Sequence, residues 1–323
     1  MATPVPNDEQ SLAPYSSVVE IEVHFPGDYA SNGEPEYSIA SGVIVGPNQI
    51  LTAAHVFENE QGETPDQIVI LTQSEAPAGV QYVLSNSTDI WTDIGGSQSL
   101  SAGLSSLDYI QANDPQLQPN GSVANVANDI ALLTVSTDLL SESNVAAYNL
   151  QALPIEAAAA DGTYQMIGFD GASNTTLLSD TEAATIDTTT YAGDVWTGPF
   201  QAVPGMSGGP LVSADDQVVG IQSSINQLTL DGVPIGPTTA YANYISSAEY
   251  TEIQAWMNYQ VSANAWQRST NGDFGVAANW SLDSVPNTND EAVISVSSPS
   301  TITSSQNQEI GSLFISQGAT LAI

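Results

Sequence analysis

The stretch PGMSGGPLV, residues 204–212, holds Ser207 among glycines, just ahead of a proline and a short apolar run. It contains the only GxSGGP in the chain. A serine in an ordinary loop needs no partners. A nucleophilic serine needs a base, a group that orients the base, and donors for the oxyanion that develops. The chain has two histidines to offer as base. His24 lies in EVHF, inside an alternating pattern with no small neighbours or turn, and reads as structural. His55 lies in LTAAH, where small residues follow an apolar strand and a ring can emerge at a barrel edge. With 36 Asp and Glu residues, spacing alone cannot select the orienting carboxylate. NDIALL narrows the choice, because Asp129 stands at the entry to a strongly apolar strand and can be buried beside an imidazole. A carboxylate there would fix the neutral tautomer and then stabilise the imidazolium.

Such residues need a rigid frame, and the frame reads as β. SSVVEIEVHF (16–25) alternates apolar and polar, the period of a half-buried strand. Residues 37–57 read as two strands around the turn GPNQ, ending at His55. QIVIL, VQYVL, DIALLTV, GTYQMIGFD, PLVSADDQVVGIQSSI and TTAYANYI supply further strands. Many short strands with turns between them point to a barrel or sandwich. SSAEYTEIQAWMNYQ (246–260) predicts one helix, opened by a Ser246/Glu249 capping box, with Ile253, Trp256, Met257 and Gln260 in helical spacing. Residues 1–15 read as an extended arm. Composition shifts near 262, after which Asn, Asp and Trp are frequent and short strands recur.

Charge bounds the partners. The single basic side chain other than histidine is Arg268, and the net charge is −35. Nucleic-acid binding is not expected, because phosphate contacts need cations. No run of 18 apolar residues occurs, so membrane insertion is not expected. No cysteine is present, which removes disulfides and thiolate metal sites. The start, MATPVPNDEQ, has neither a basic nor an apolar signal region. Either a signal peptide has been removed or export uses another signal. The acidic surface suits salty, acidic or calcium-rich surroundings. No cofactor is required by this reading. Structural calcium on Asp273, Asp283 and Asp290 stays open beside a role as solvated turn residues.

GVIVGPNQILTAAHV, NDIALL and PGMSGGPLV, in that order, resemble the chymotrypsin/trypsin-like serine peptidases of the bacterial branch. The resemblance spans about 16–262. It implies two antiparallel six-stranded β-barrels with a C-terminal helix and a cleft between the barrels. It implies His55 as general base and acid, Asp129 as orienter and Ser207 as nucleophile, with the amides of Gly205 and Ser207 as oxyanion hole. Met206 replaces the aspartate of enzymes with a zymogen switch, so activity is expected without N-terminal cleavage. The long stretch between His55 and Asp129 implies inserted loops within 58–128. Pocket positions fall on Gln201, Ala202, Ser223, Ser224 and Ile225. They offer no charge, and Ile225 narrows the space. Cleavage is expected after small or medium apolar residues, not after Lys, Arg or Glu.

Residues 263–323 resemble the opening module of large bacterial surface or autotransporter-type proteins, a small β-rich appendage before a repeat region. The expected whole is a secreted or surface-displayed bacterial serine endopeptidase acting on proteins or peptides. Two other readings stand beside it: a protease that cuts its own longer chain, and a non-catalytic adhesin.

Overall fold

The computed structural model describes residues 2–29, 33, 36–59, 63, 65–72, 80–85, 91–94, 97–101, 109–113, 123, 125–135, 139–140, 149–172, 176–189, 191, 193–226, 229–230, 233–234, 239–258, 262–268, 271–282, 284–287, 290–294, 300–308, 310, 312–315 and 319–322. Strands buried along most of their length shape the first half. Its strands are β1 (Thr3–Pro4), β2 (Val18–His24), β3 (Ser38–Gly46), β4 (Gln49–Thr52), β5 (Gln67–Thr72), β6 (Val80–Ser85), β7 (Trp91–Ile94), β8 (Ser97–Ser101), β9 (Tyr109–Ala112) and β10 (Ala131–Thr134). All but β1 form one antiparallel sheet in the order β6-β5-β2-β3-β4-β10-β9-β8-β7. Val19, Ile21 and Val23 of β2 join Val43, Ile50, Leu51 and Leu133 in its buried core.

Among the described residues the end strands β6 and β7 do not pair with each other, so this half is an open half-barrel there and not a closed six-stranded one. The difference lies in the segment expected to be inserted loops. Part of it forms the hairpin β7–β8, which adds to the edge of β9. An edge strand presents unpaired backbone groups, so further strands can add to it.

The second half closes. Its strands are β11 (Gly162–Phe169), β12 (Leu177–Asp187), β13 (Val195–Gly198), β14 (Pro210–Val212), β15 (Val218–Asn226), the small hairpin β16 (Thr229–Leu230) and β17 (Val233–Pro234), and β18 (Thr239–Tyr244). The order β12-β11-β14-β15-β18-β13 returns to β12, giving a six-stranded barrel. Trp196 fills it, with Tyr164 and Tyr244 rings 4.9 and 5.3 Å away and its indole N–H on Val219 O. Strand β1 adds to β12, and Val5 is buried with its amide on Leu177 O. The first residues therefore pack on this barrel, and only Thr3–Pro4 is a strand. Helix α1 (Ser247–Asn258) follows β18 and buries Ile253 and Trp256. Among the described residues no helix is long and apolar enough to cross a membrane.

The C-terminal segment is built differently. β19 (Ser262–Ala265), β21 (Asp290–Ile294) and β23 (Ser312–Ile315) pair in parallel, as do β20 (Gly272–Asp273), β22 (Ser300–Thr303) and β24 (Ala319–Ala322). Trp266, Phe274, Trp280, Ala292, Ile294 and Ile302 form its own core. Parallel neighbours 19 to 30 residues apart are the geometry of stacked coils.

One buried group breaks the pattern of β2. Glu20 is fully buried, shares a register position with Ser41, and neither carboxyl oxygen finds a partner among the described residues. Burial, then the charge of Glu22, pushes its carboxyl up to about 8. A carboxyl raised on folding binds its proton more tightly in the native state. Its contribution is full below the ordinary value of 4.5 and is lost as pH rises towards about 8. Stability should fall by about 1.4 kcal/mol per pH unit across that window from this group. Urea midpoints at pH 5 and pH 8 test this. Glu20→Gln, isosteric with the protonated acid, should flatten the difference; an unchanged slope would show that other groups carry it.

Candidate active site

β4 carries the chain out of the half-barrel core into a short 3-10 turn, Ala54–Phe57. Ala54, Val56 and Phe57 are buried there, while His55 keeps 18% of its side chain exposed. Asp129 ends another 3-10 turn, Val126–Asn128, and precedes β10, which pairs with β4. That pairing brings the two turns together. Asp129 is fully buried. Its Oδ1 accepts the His55 amide at 2.9 Å, and its Oδ2 accepts from His55 Nδ1 at 2.7 Å. Ser223 Oγ also donates to Oδ2.

The electrostatics follow from this geometry. Burial alone would raise the Asp129 carboxyl, but the charge and hydrogen bond of His55, with the Ser223 hydroxyl, hold it below its usual value. Burial alone would lower the His55 imidazole, but Asp129's charge and hydrogen bond raise it above 6.5. An ionised Asp129 can only accept, so Nδ1 of neutral His55 carries the proton and Nε2 keeps its lone pair.

Ser207 lies on the turn between Pro204 and β14. Three contacts locate that turn beside the pair. The Ser41 amide of β3 donates to Ser207 O at 2.7 Å. The Gly208 amide donates to Gln222 O at 2.8 Å, one residue before Ser223. Gly208, at φ +82°, lies so close to Thr52 and Ala53 that a Cβ would meet Thr52 Oγ1 at 2.0 Å. A side chain there would push the turn away from the strand that leads to His55.

The peptides flanking the turn are fixed through their carbonyls. Pro204 O accepts the Gly171 amide at 2.8 Å, and Met206 O accepts the Gly209 amide at 2.9 Å. In a trans peptide the N–H points opposite its C=O. The amides of Gly205 and Ser207 are thereby aimed away from these anchors, and neither has an acceptor among the described residues. Gly205 has a φ of +97°, and a Cβ there would meet Gly171 N at 2.2 Å, so both the backbone and the space call for glycine. Ser41 Oγ accepts from Phe169 N at 2.8 Å and donates to Gly205 O at 2.7 Å, tying β3 to this turn across the two halves.

The profile of the trypsin-like peptidase domain matches residues 40–221. The chain belongs to the trypsin-like peptidase family. A structure of a Glu endopeptidase in complex with MPD shares the fold at TM-score 0.50 and 14% identity, over 80% of this chain and 97% of that one. The protease Anisep from Arthrobacter nicotinovorans is similar at TM-score 0.48 and 18% identity, over 75% and 94%. No curated protein sequence matches the chain.

In this trypsin-like domain the expected pocket residues divide. Gln201 is half-buried with its backbone N–H donating to Asp180 Oδ2, and Ala202 is buried. Ser224 is hydrogen-bonded to Tyr191, whose ring meets Tyr241 edge-on. Ile225 pairs with Ala240 through the backbone, and its side chain lies outside the described residues. The Ser223 hydroxyl faces Asp129 and donates to its Oδ2. Its buried serine type gave no local signal of that role. Met206 is fully buried in the barrel core. His24 bonds Asp66 through Nδ1 at 2.5 Å and Asp28 O through Nε2 at 2.8 Å, so both ring nitrogens serve the local fold. Asp273 accepts from Gly275 N and Ser305 Oγ; Asp283 lies outside the described residues, as does the side chain of Asp290. Among the described residues no group of three or more His, Asp or Glu side chains is arranged to hold a metal ion.

Proposed function

We propose that the chain is a serine endopeptidase. The observation that carries this is the buried Asp129–His55 pair set beside a serine turn whose two amides are turned outward. Ser207 Oγ attacks the scissile carbonyl and passes its proton to His55 Nε2. Asp129 stabilises the imidazolium through Nδ1. The tetrahedral oxyanion is held by the amides of Gly205 and Ser207. The carbonyl re-forms as His55 returns the proton to the leaving amine. Water, deprotonated by the same imidazole, then releases the acyl group and restores Ser207.

This chemistry requires no metal or cofactor. Buried Met206 offers no partner for a new N-terminus, so the enzyme needs no activating cleavage. Uncharged Gln201 and Ala202 favour small or medium apolar residues before the cut bond, since a buried charge without a partner is costly. The surface charge repels nucleic acids and acts on substrates only over long range. The parallel sheets of 262–322 suit a secreted or surface-displayed bacterial chain that continues into repeats, which its own peptidase domain could cut.

Two measurements test this. A serine-reactive fluorophosphonate should label Ser207 in the chain as it stands; a binding-only domain would remain unlabelled. Mass spectrometry of peptide-library digests, against Ser207→Ala, should show cuts after small or medium apolar residues at low and high salt. Dominant cleavage after Arg, Lys or Glu that salt does not change would refute the pocket assignment.

A further inference from the structure

Asn243 lies in β18, fully buried and far along the chain from His55, Asp129 and Ser207. Its Nδ2 reaches two acceptors: Ala127 O at 2.5 Å and Glu249 Oε1 at 2.6 Å. Ala127 is the middle residue of the turn Val126–Asn128 that delivers Asp129, and the Asp129 amide closes that turn on Val126 O at 3.1 Å. Gly193 grips the same turn closely enough that a Cβ there would lie 2.6 Å from Ala127 Cβ. Glu249 belongs to the first turn of α1, where its amide is capped by Ser246 Oγ at 3.2 Å. A continuous chain of bonds thus runs from the helix start, through Asn243, to the turn before Asp129.

We propose that Asn243 and Glu249 are a positioning pair that fixes the turn bearing Asp129 and, through it, the direction of His55. This rests on the peptidase reading given above. Neither residue touches substrate in that reading. The two act by denying the buried turn an alternative position, since moving it would strand the Ala127 carbonyl and one of the two Asn243 amide hydrogens. Burial pushes the Glu249 carboxyl up to about 8; the Asn243 bond opposes the rise, Glu252 adds to it and the Ser246 amide opposes it. Glu249, Glu252, Asp194 and Tyr244 line one cavity of about 290 Å³ with Asn113 and Asn128, and no cation is among its lining residues. Near neutral pH Glu249 is therefore an uncharged acceptor, and glutamine is its isostere.

The test uses the whole chain with isotope-labelled histidine. Only His24 and His55 then report, and His24, held by Asp66 and Asp28, monitors folding. In Asn243→Ala the His55 titration midpoint should fall by about half a pH unit, because a looser Asp129 no longer offsets burial as well. Peptide hydrolysis should lose about tenfold in kcat with KM held within about twofold. Glu249→Gln should leave both readouts unchanged, while Glu249→Ala moves them as Asn243→Ala does. A lower Tm with an unmoved His55 midpoint and unchanged kcat would overturn the proposal. If Asn243→Ala does not fold, Glu249→Ala decides by the same criterion. The midpoint is read without turnover, so the two readings fail separately. An inert wild type with a shifted midpoint in the variant sinks only the peptidase reading. An active wild type with an unmoved midpoint sinks only the positioning pair.

Discussion

Ser207→Ala and His55→Ala are each expected to lower kcat for peptide hydrolysis by about 10⁶, the loss seen when a comparable triad loses its serine or histidine. The double variant should be scarcely slower than either single one. The reason is mechanistic. Once the hydroxyl is gone, the imidazole has no proton to take, and once the imidazole is gone the hydroxyl stays protonated and weakly nucleophilic. Residual hydrolysis should persist through the outward amides of Gly205 and Ser207, which stabilise an oxyanion whichever nucleophile forms it. Initial rates for the three variants, with wild-type carry-over excluded by fluorophosphonate titration, give the measurement. Losses that multiply in the double variant would mean that Ser207 and His55 do not share one step.

Asp129→Asn is expected to lower kcat by about 10⁴, the size of the same change in a trypsin triad. Asp129 accepts three hydrogens, from the His55 amide, His55 Nδ1 and Ser223 Oγ. A carboxamide must present N–H₂ to part of that set. Turning it towards Nδ1 selects the tautomer with the proton on Nε2, which cannot accept from Ser207. The charge that raises the His55 imidazole is also lost, leaving burial unopposed. Wild-type kcat should rise with pH through a midpoint above 6.5, because only neutral His55 is a base. In Asp129→Asn the His55 titration should move below 6.5, read by histidine-labelled NMR. A loss under about tenfold, or an unmoved midpoint, would remove Asp129 from the mechanism.

The sequence by itself determined the residues of the candidate chemistry and most of the strands. A chain with two histidines and one GxSGGP leaves few choices for a base and a nucleophile. Alternation located β2, the turn GPNQ located β3 and β4, short apolar runs located β5 and β6, and small residues after an apolar strand marked the turn of His55. Alternation marks which face is buried and carries no information about which strand becomes the neighbour. β12 went unread because its exposed polar residues blur the pattern in LLSDTEAATID. The parallel pairing of β19 to β24, and the hairpin β7–β8 that leaves the first sheet open, are choices between edges that are equivalent in sequence. Three further assignments belong to the tertiary structure alone. Ser223 turns to Asp129, Ser41 clamps Gly205 from 164 residues away, and Asn243 pins Ala127 from 116 residues away. Each is a buried polar side chain whose partner is brought to it only when separate strands pack. A hydrogen bond over such a separation depends on an approach of about 3 Å in space, which no local period encodes.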